Sequence, residues 1–132
     1  NVKEVFFSTS VQNTIRGMHI QRSPNPTAKI IKVMSGEVLD VILDCRKKSK
    51  TYGLFQCINL NQDSKALYIP KGCAHGFLTL SKISTMLYVT DDIYNRKTDS
   101  GYRYDSFGFE WPTKNETLSE RDLKLPKFNQ IH

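Results

Sequence analysis

Lys29-Ile-Ile-Lys-Val-Met-Ser-Gly-Glu-Val-Leu-Asp-Val-Ile-Leu-Asp44 is the stretch that decides the fold class. Lys29–Met34 is dense in β-branched and apolar residues, which suit a pleated, packed surface. Ser35-Gly36 supplies a turn. Beyond it, Leu39, Val41 and Leu43 fall on one face of a period-two pattern across Glu37–Asp44. The reading is two strands joined by a tight turn. The same pattern continues in Leu54–Leu60, Lys65–Ile69, Gly76–Leu80 and Thr85–Thr90, with turn-forming breaks at Asn61–Ser64, Pro70-Lys71-Gly72 and Ser81–Ser84. Many short strands at near-regular spacing predict an all-β sandwich or barrel. Only Ser119–Lys124 can form a helical turn, capped by Ser119 and stopped by Pro126.

Composition narrows the class further. With 132 residues, 39% of them hydrophobic, and no repeat, low-complexity tract or linker, residues 1–132 read as a single domain with a real core. No apolar run is long enough to cross a bilayer, and the opening NVKEVFFSTS lacks a secretory pattern. A cytoplasmic protein without membrane contact is therefore expected. Cys45, Cys57 and Cys73 are odd in number, widely spaced and without a CxxC pair, which argues against a disulfide framework or a zinc ribbon. The net charge of +6 is scattered, with Arg46, Lys47 and Lys48 as the one tight cluster. That distribution points away from nucleic acid, and it suits an acidic small molecule such as a nucleotide diphosphate.

Candidate chemistry centres on two histidines. His19 stands in Arg16-Gly-Met-His-Ile-Gln21 and His75 in Gly72-Cys-Ala-His-Gly-Phe77, both Gly-containing, strand-edge contexts; His132 is terminal. Metal-binding β-barrels typically carry an HxH pair, whereas Gln21 occupies the second position here, so neither a metal nor another cofactor is expected. A lone histidine can act as a general base when a partner holds its tautomer. On the residues alone, each histidine is as readily structural as catalytic.

The run Asn13-Thr-Ile-Arg-Gly-Met-His-Ile-Gln21 resembles the VLRGLHYQ-like signature of the dTDP-4-dehydrorhamnose 3,5-epimerase family. The likeness continues, in the family's order, through Ala28 to Val41, Ile69-Pro-Lys-Gly-Cys-Ala-His-Gly-Phe77 and Leu87-Tyr88 with Tyr94. It closes on Phe109-Glu-Trp-Pro112 and Leu118-Ser-Glu-Arg-Asp122, so it covers nearly the whole chain. The resemblance implies a cupin-like jelly-roll β-sandwich, a homodimer, and a nucleotide-diphosphate keto sugar as substrate. It also implies metal-free epimerisation at carbon 3, carbon 5 or both of a 4-keto-6-deoxy sugar. By the same likeness His19 is the catalytic base and Asp122 the carboxylate that orients it. Tyr88 is the proton donor on the opposite face of the sugar, and Lys29 the cation beside the sugar oxygen. Arg16, His75, Tyr94, Arg121 and Asp99 match substrate-binding positions.

Three departures from the family pattern bear on recognition. Family members carry an N-terminal segment, with an Arg-Gly-x-Phe-like motif, ahead of the point matched by residue 1; it serves the dimer and the neighbouring site. Glu4-Val5-Phe6 stands where Gln-Asp-Asn is usual, which removes hydrogen-bonding capacity. Asp99 replaces a glutamate, one methylene shorter. The rival readings are a keto-sugar isomerase of the same fold, a non-catalytic sugar-nucleotide-binding module and a metal-dependent cupin.

Overall fold

The computed structural model describes residues 1–22, 26–97 and 99–128; His132 lies outside them. In chain order the described residues form β1 (Glu4–Val11), β2 (Ile15–Gln21), β3 (Lys29–Ser35), β4 (Glu37–Asp44) and β5 (Phe55–Asn61). Then follow β6 (Leu67–Ile69), β7 (Cys73–Thr79), β8 (Ile83–Thr90), β9 (Asp99–Gly101) and one helical turn, α1 (Glu120–Leu123). The strands make two sheets, ordered β1-β8-β3-β6 and β5-β4-β7-β2-β9, with antiparallel pairing throughout both. This is the expected all-β, cupin-like sandwich. No helix among the described residues is long and apolar enough to cross a membrane.

Alternation explains one sheet and fails for the other. Between the sheets, Ile31, Val33 and Met86 of one meet Val38, Leu60 and Phe77 of the other. The far side of the five-stranded sheet is also covered: Met18, Val41, Leu43 and Ala74 pack under Tyr102, Phe107 and Phe128 from the C-terminal segment. Burial on both faces leaves β7 with every residue buried. That strand begins at Cys73, three residues before the predicted start, because Gly76 marks a close approach and not an end. A Cβ on Gly76 would lie 2.7 Å from the Arg16 carbonyl oxygen, and one on Gly17 would lie 2.6 Å from the Gly76 Cα. His75 is therefore central in an interior strand, not at a strand edge as its sequence context implied.

Among the described residues, the outer face of the four-stranded sheet has no such cover. Val5, Phe7 and Val11 of β1, Ile30 and Met34 of β3 and Ile83 of β8 all stand exposed on it. At the other end of the chain, α1 forms where the capping pattern placed it. Ser119 is the N-cap, its hydroxyl accepting from the Asp122 N–H at 3.1 Å.

Candidate active site

A cavity of about 290 Å³ opens between the sheets. Register dictates its walls. Tyr88 pairs with Phe6 on one side and Ile31 on the other, while Thr90 pairs with Glu4 and Lys29. Since side chains alternate along a strand, Glu4, Phe6, Ser8, Lys29, Tyr88 and Thr90 share the inward face, and all of them line the cavity. The opposite wall comes from β2 and β7, where His19 pairs directly with His75.

Arg16 and His19 are three apart, which in a regular strand would put them on opposite faces. The β2–β7 register shifts between them, and Gly17 takes a φ of +125° there. Both side chains consequently reach the cavity. Gly17 does this because a side chain at that position would strike the β7 backbone.

His19 is held from behind. Its Nε2 lies 2.7 Å from Asp122 Oδ1, and the Gly17 N–H donates to Asp122 Oδ2 at 3.0 Å. Burial pushes the Asp122 carboxyl up, but the His19 contact and the Gly17 N–H together hold it below the usual carboxylate range. An ionised Asp122 accepts the Nε2 proton, so Nδ1 is left with its lone pair as the basic atom.

A second histidine–carboxylate pair sits deeper. His75 Nε2 and Asp40 Oδ1 are 2.6 Å apart, with both side chains buried. Desolvation depresses the His75 imidazole despite Asp40, and Lys29 and His19 act in the same direction, so the ring is neutral. Asp40 Oδ2 is buried without a hydrogen-bond partner. Asp40 was not among the sequence candidates. Its one signal is a carboxylate in the middle of a strand with apolar residues on both sides of it.

On the facing wall, burial raises the Tyr88 phenol well above its ordinary value, with Ser8 and Arg16 opposing and Asp40 adding to it, so the hydroxyl keeps its proton. Desolvation lowers the Lys29 ammonium to about 8 against the pull of Asp40 and Asp99. Arg16 is pinned to β1 by Nε donating to Ser10 Oγ at 2.7 Å. At the rim, Tyr94 donates to Asp99 Oδ2 at 3.1 Å, and Arg121 pairs with the same carboxylate.

Eight of the nine predicted site residues line one cavity, and the ninth, Asp122, backs His19. Cys73 also lines it, but burial raises its thiol, which suits packing better than attack. Among the described residues, no three His, Cys, Asp or Glu side chains are grouped to hold a metal ion.

The chain matches the family model described as dTDP-4-dehydrorhamnose 3,5-epimerase over residues 1–130. It is 37% identical to the dTDP-4-dehydrorhamnose 3,5-epimerase of Shigella flexneri, across 92% of this chain and 68% of that protein. Among solved structures, the Bacillus anthracis epimerase with TDP and PPi bound superposes with a TM-score of 0.93 at 36% identity, covering 96% of this chain and 75% of that one. The Legionella pneumophila enzyme, in complex with dTDP-4-keto-L-rhamnose, gives 0.93 at 32% identity, covering 100% and 72%. Sequence and fold agree: this chain belongs to the dTDP-4-dehydrorhamnose 3,5-epimerase family of isomerases.

Proposed function

We propose that this protein epimerises a nucleotide-diphosphate-linked 4-keto-6-deoxy sugar at carbon 3, carbon 5 or both, with His19 as base and Tyr88 as acid. The observation that carries this reading is their placement. His19, backed by a buried carboxylate, and Tyr88, kept protonated by burial, come from opposite walls of one cavity. A carbonyl acidifies the hydrogens on its neighbouring carbons. Nδ1 of His19 removes one, and the electron pair moves onto the carbonyl oxygen as an enolate. Tyr88 then gives its proton to the other face of the carbon as the enolate collapses back to the ketone; water takes the proton from His19 and supplies one to the Tyr88 phenolate. Each such transfer is worth about 10²–10⁴-fold. Arg16, His75, Tyr94, Asp99 and Arg121 are the groups we assign to holding the substrate.

The test is incubation with dTDP-4-keto-6-deoxyglucose in heavy water, followed by NMR. Loss of the carbon 3 and carbon 5 proton signals, with the ketone still at carbon 4, supports the reading. Migration of the ketone indicates an isomerase instead. No exchange across a panel of keto sugars leaves a binding module.

Lys29 makes the reaction pH-dependent in a stated direction. Its positive charge stabilises the enolate only while protonated. With its ammonium lowered to about 8, kcat is expected to fall as pH rises through about 8. In Lys29→Met that limb should vanish together with most of the rate. A limb that survives the substitution belongs to another group.

A homodimer is part of the proposal. β1 is an edge strand whose outer face, with Phe7 and Val11, continues onto Ile30 and Ile83. Apolar edges of this kind are normally covered. Light scattering at micromolar concentration should give twice the mass of one chain, and a monomer mass would remove this part.

A further inference from the structure

Phe6 lines the cavity as a large apolar side chain where the family pattern has a polar one. Its ring lies 4.8 Å from that of Tyr88, centroid to centroid, with only 6° between the planes. The two residues are direct partners across β1 and β8, so the stack is built into the sheet register. The phenol has a second aromatic neighbour, the His75 ring at 6.2 Å, edge to face. One strand position further along β1's inward face, Ser8 places a buried hydroxyl beside the phenol. Phe6 is itself 41% exposed. A ring so open to solvent contributes little to the core, so its parallel seat on Tyr88 calls for another explanation.

We propose that Phe6 is a positioning residue for the proton donor, clamping the Tyr88 ring against the β8 wall so that its hydroxyl stays aimed at the reacting carbon. This deepens the epimerase reading and rests on it. Offset-stacked aromatic pairs add attraction beyond the area they bury, and two neighbouring rings limit the phenol's swing. An acid displaced by about 1 Å loses on the order of 10²-fold in rate. Deprotonation by His19 does not use the phenol. Loosening Tyr88 therefore leaves the enolate forming at its usual rate, and more of it is re-protonated from the face it came from. The product of such an event has exchanged its hydrogen for solvent and kept its configuration.

The experiment compares Phe6→Ala, Phe6→Asn and Phe6→Trp with the unaltered protein, measuring deuterium wash-in and inversion on the same sample. In the alanine and asparagine variants, inversion should fall about tenfold to a hundredfold while wash-in stays within about threefold. Phe6→Trp, which restores a flat partner, should recover most of the inversion. Circular dichroism melting should show all three variants folded at the assay temperature. Wash-in and inversion falling in step, or inversion unchanged by Phe6→Ala, overturns the proposal while the epimerase reading stands. Absence of wash-in with the unaltered protein removes that reading, and this proposal with it.

Discussion

His19→Asn is expected to lower wash-in and inversion together by about 10²–10⁴-fold, the usual contribution of a general base. Asn lacks a basic nitrogen, and the other histidine on that wall, His75, sits deeper, its side chain 3% exposed against 30% for His19. The companion variant Asp122→Asn should come within about tenfold of the same loss, for a reason visible in the hydrogen bonds. The Gly17 N–H donates to Oδ2 and will keep an oxygen there. The amide NH2 is thereby turned toward His19 Nε2, which must become an acceptor. The imidazole proton moves to Nδ1, the atom that has to be basic. The fold and the cavity survive while the tautomer is wrong, so KM should change far less than kcat. Steady-state kinetics of the two variants would check this. Asp122→Asn within threefold of the unaltered rate would show that the carboxylate does not orient the base.

Tyr88→Phe should produce a different failure. Inversion is expected to drop by about 10²–10⁴-fold, while wash-in persists at a rate close to that of the unaltered protein. His19 and Lys29 still form and stabilise the enolate, but the far face of the carbon then has no donor within reach. The ring remains, so its stack on Phe6 and its place in the core are kept, and loss of folding is not a competing explanation. NMR in heavy water distinguishes the outcomes, since the recovered sugar should be deuterated and still in the starting configuration. A variant that inverts normally would assign the acid to another group. Equal loss of both rates would make Tyr88 a binding residue.

The sandwich was legible because Leu39, Val41 and Leu43 mark one face of Glu37–Asp44, because Thr85–Thr90 alternates, and because Pro, Gly and Asn punctuate the breaks. β7 was read short because both of its faces are buried, which erases the alternation that marks a strand. β1 and β2 carry the site, yet neither announces its bounds: β1 exposes Phe7 and Val11, and β2 changes register between Arg16 and His19. The family likeness brought out the nine site positions, and eight of them meet in the cavity with Asp122 behind. Asp40 stayed hidden because a carboxylate in an apolar strand reads as a solvent-facing break until the opposite sheet is in place. The role we give Phe6 was equally hidden, because stacking depends on the pairing of β1 with β8, strands separated in sequence by most of the chain.

The link between His19 and Asp122 spans 103 positions of sequence. Contacts this distant are slow to find, because the intervening chain must be ordered before they reward its closure. During synthesis the strands that shape the cavity are made first, and the imidazole waits with both tautomers open to it. The turn that carries Asp122, capped by Ser119, is what selects one tautomer. The base thus takes its direction from a single short turn near the far end of the chain, and damage there would disable His19 without touching the strands that carry it.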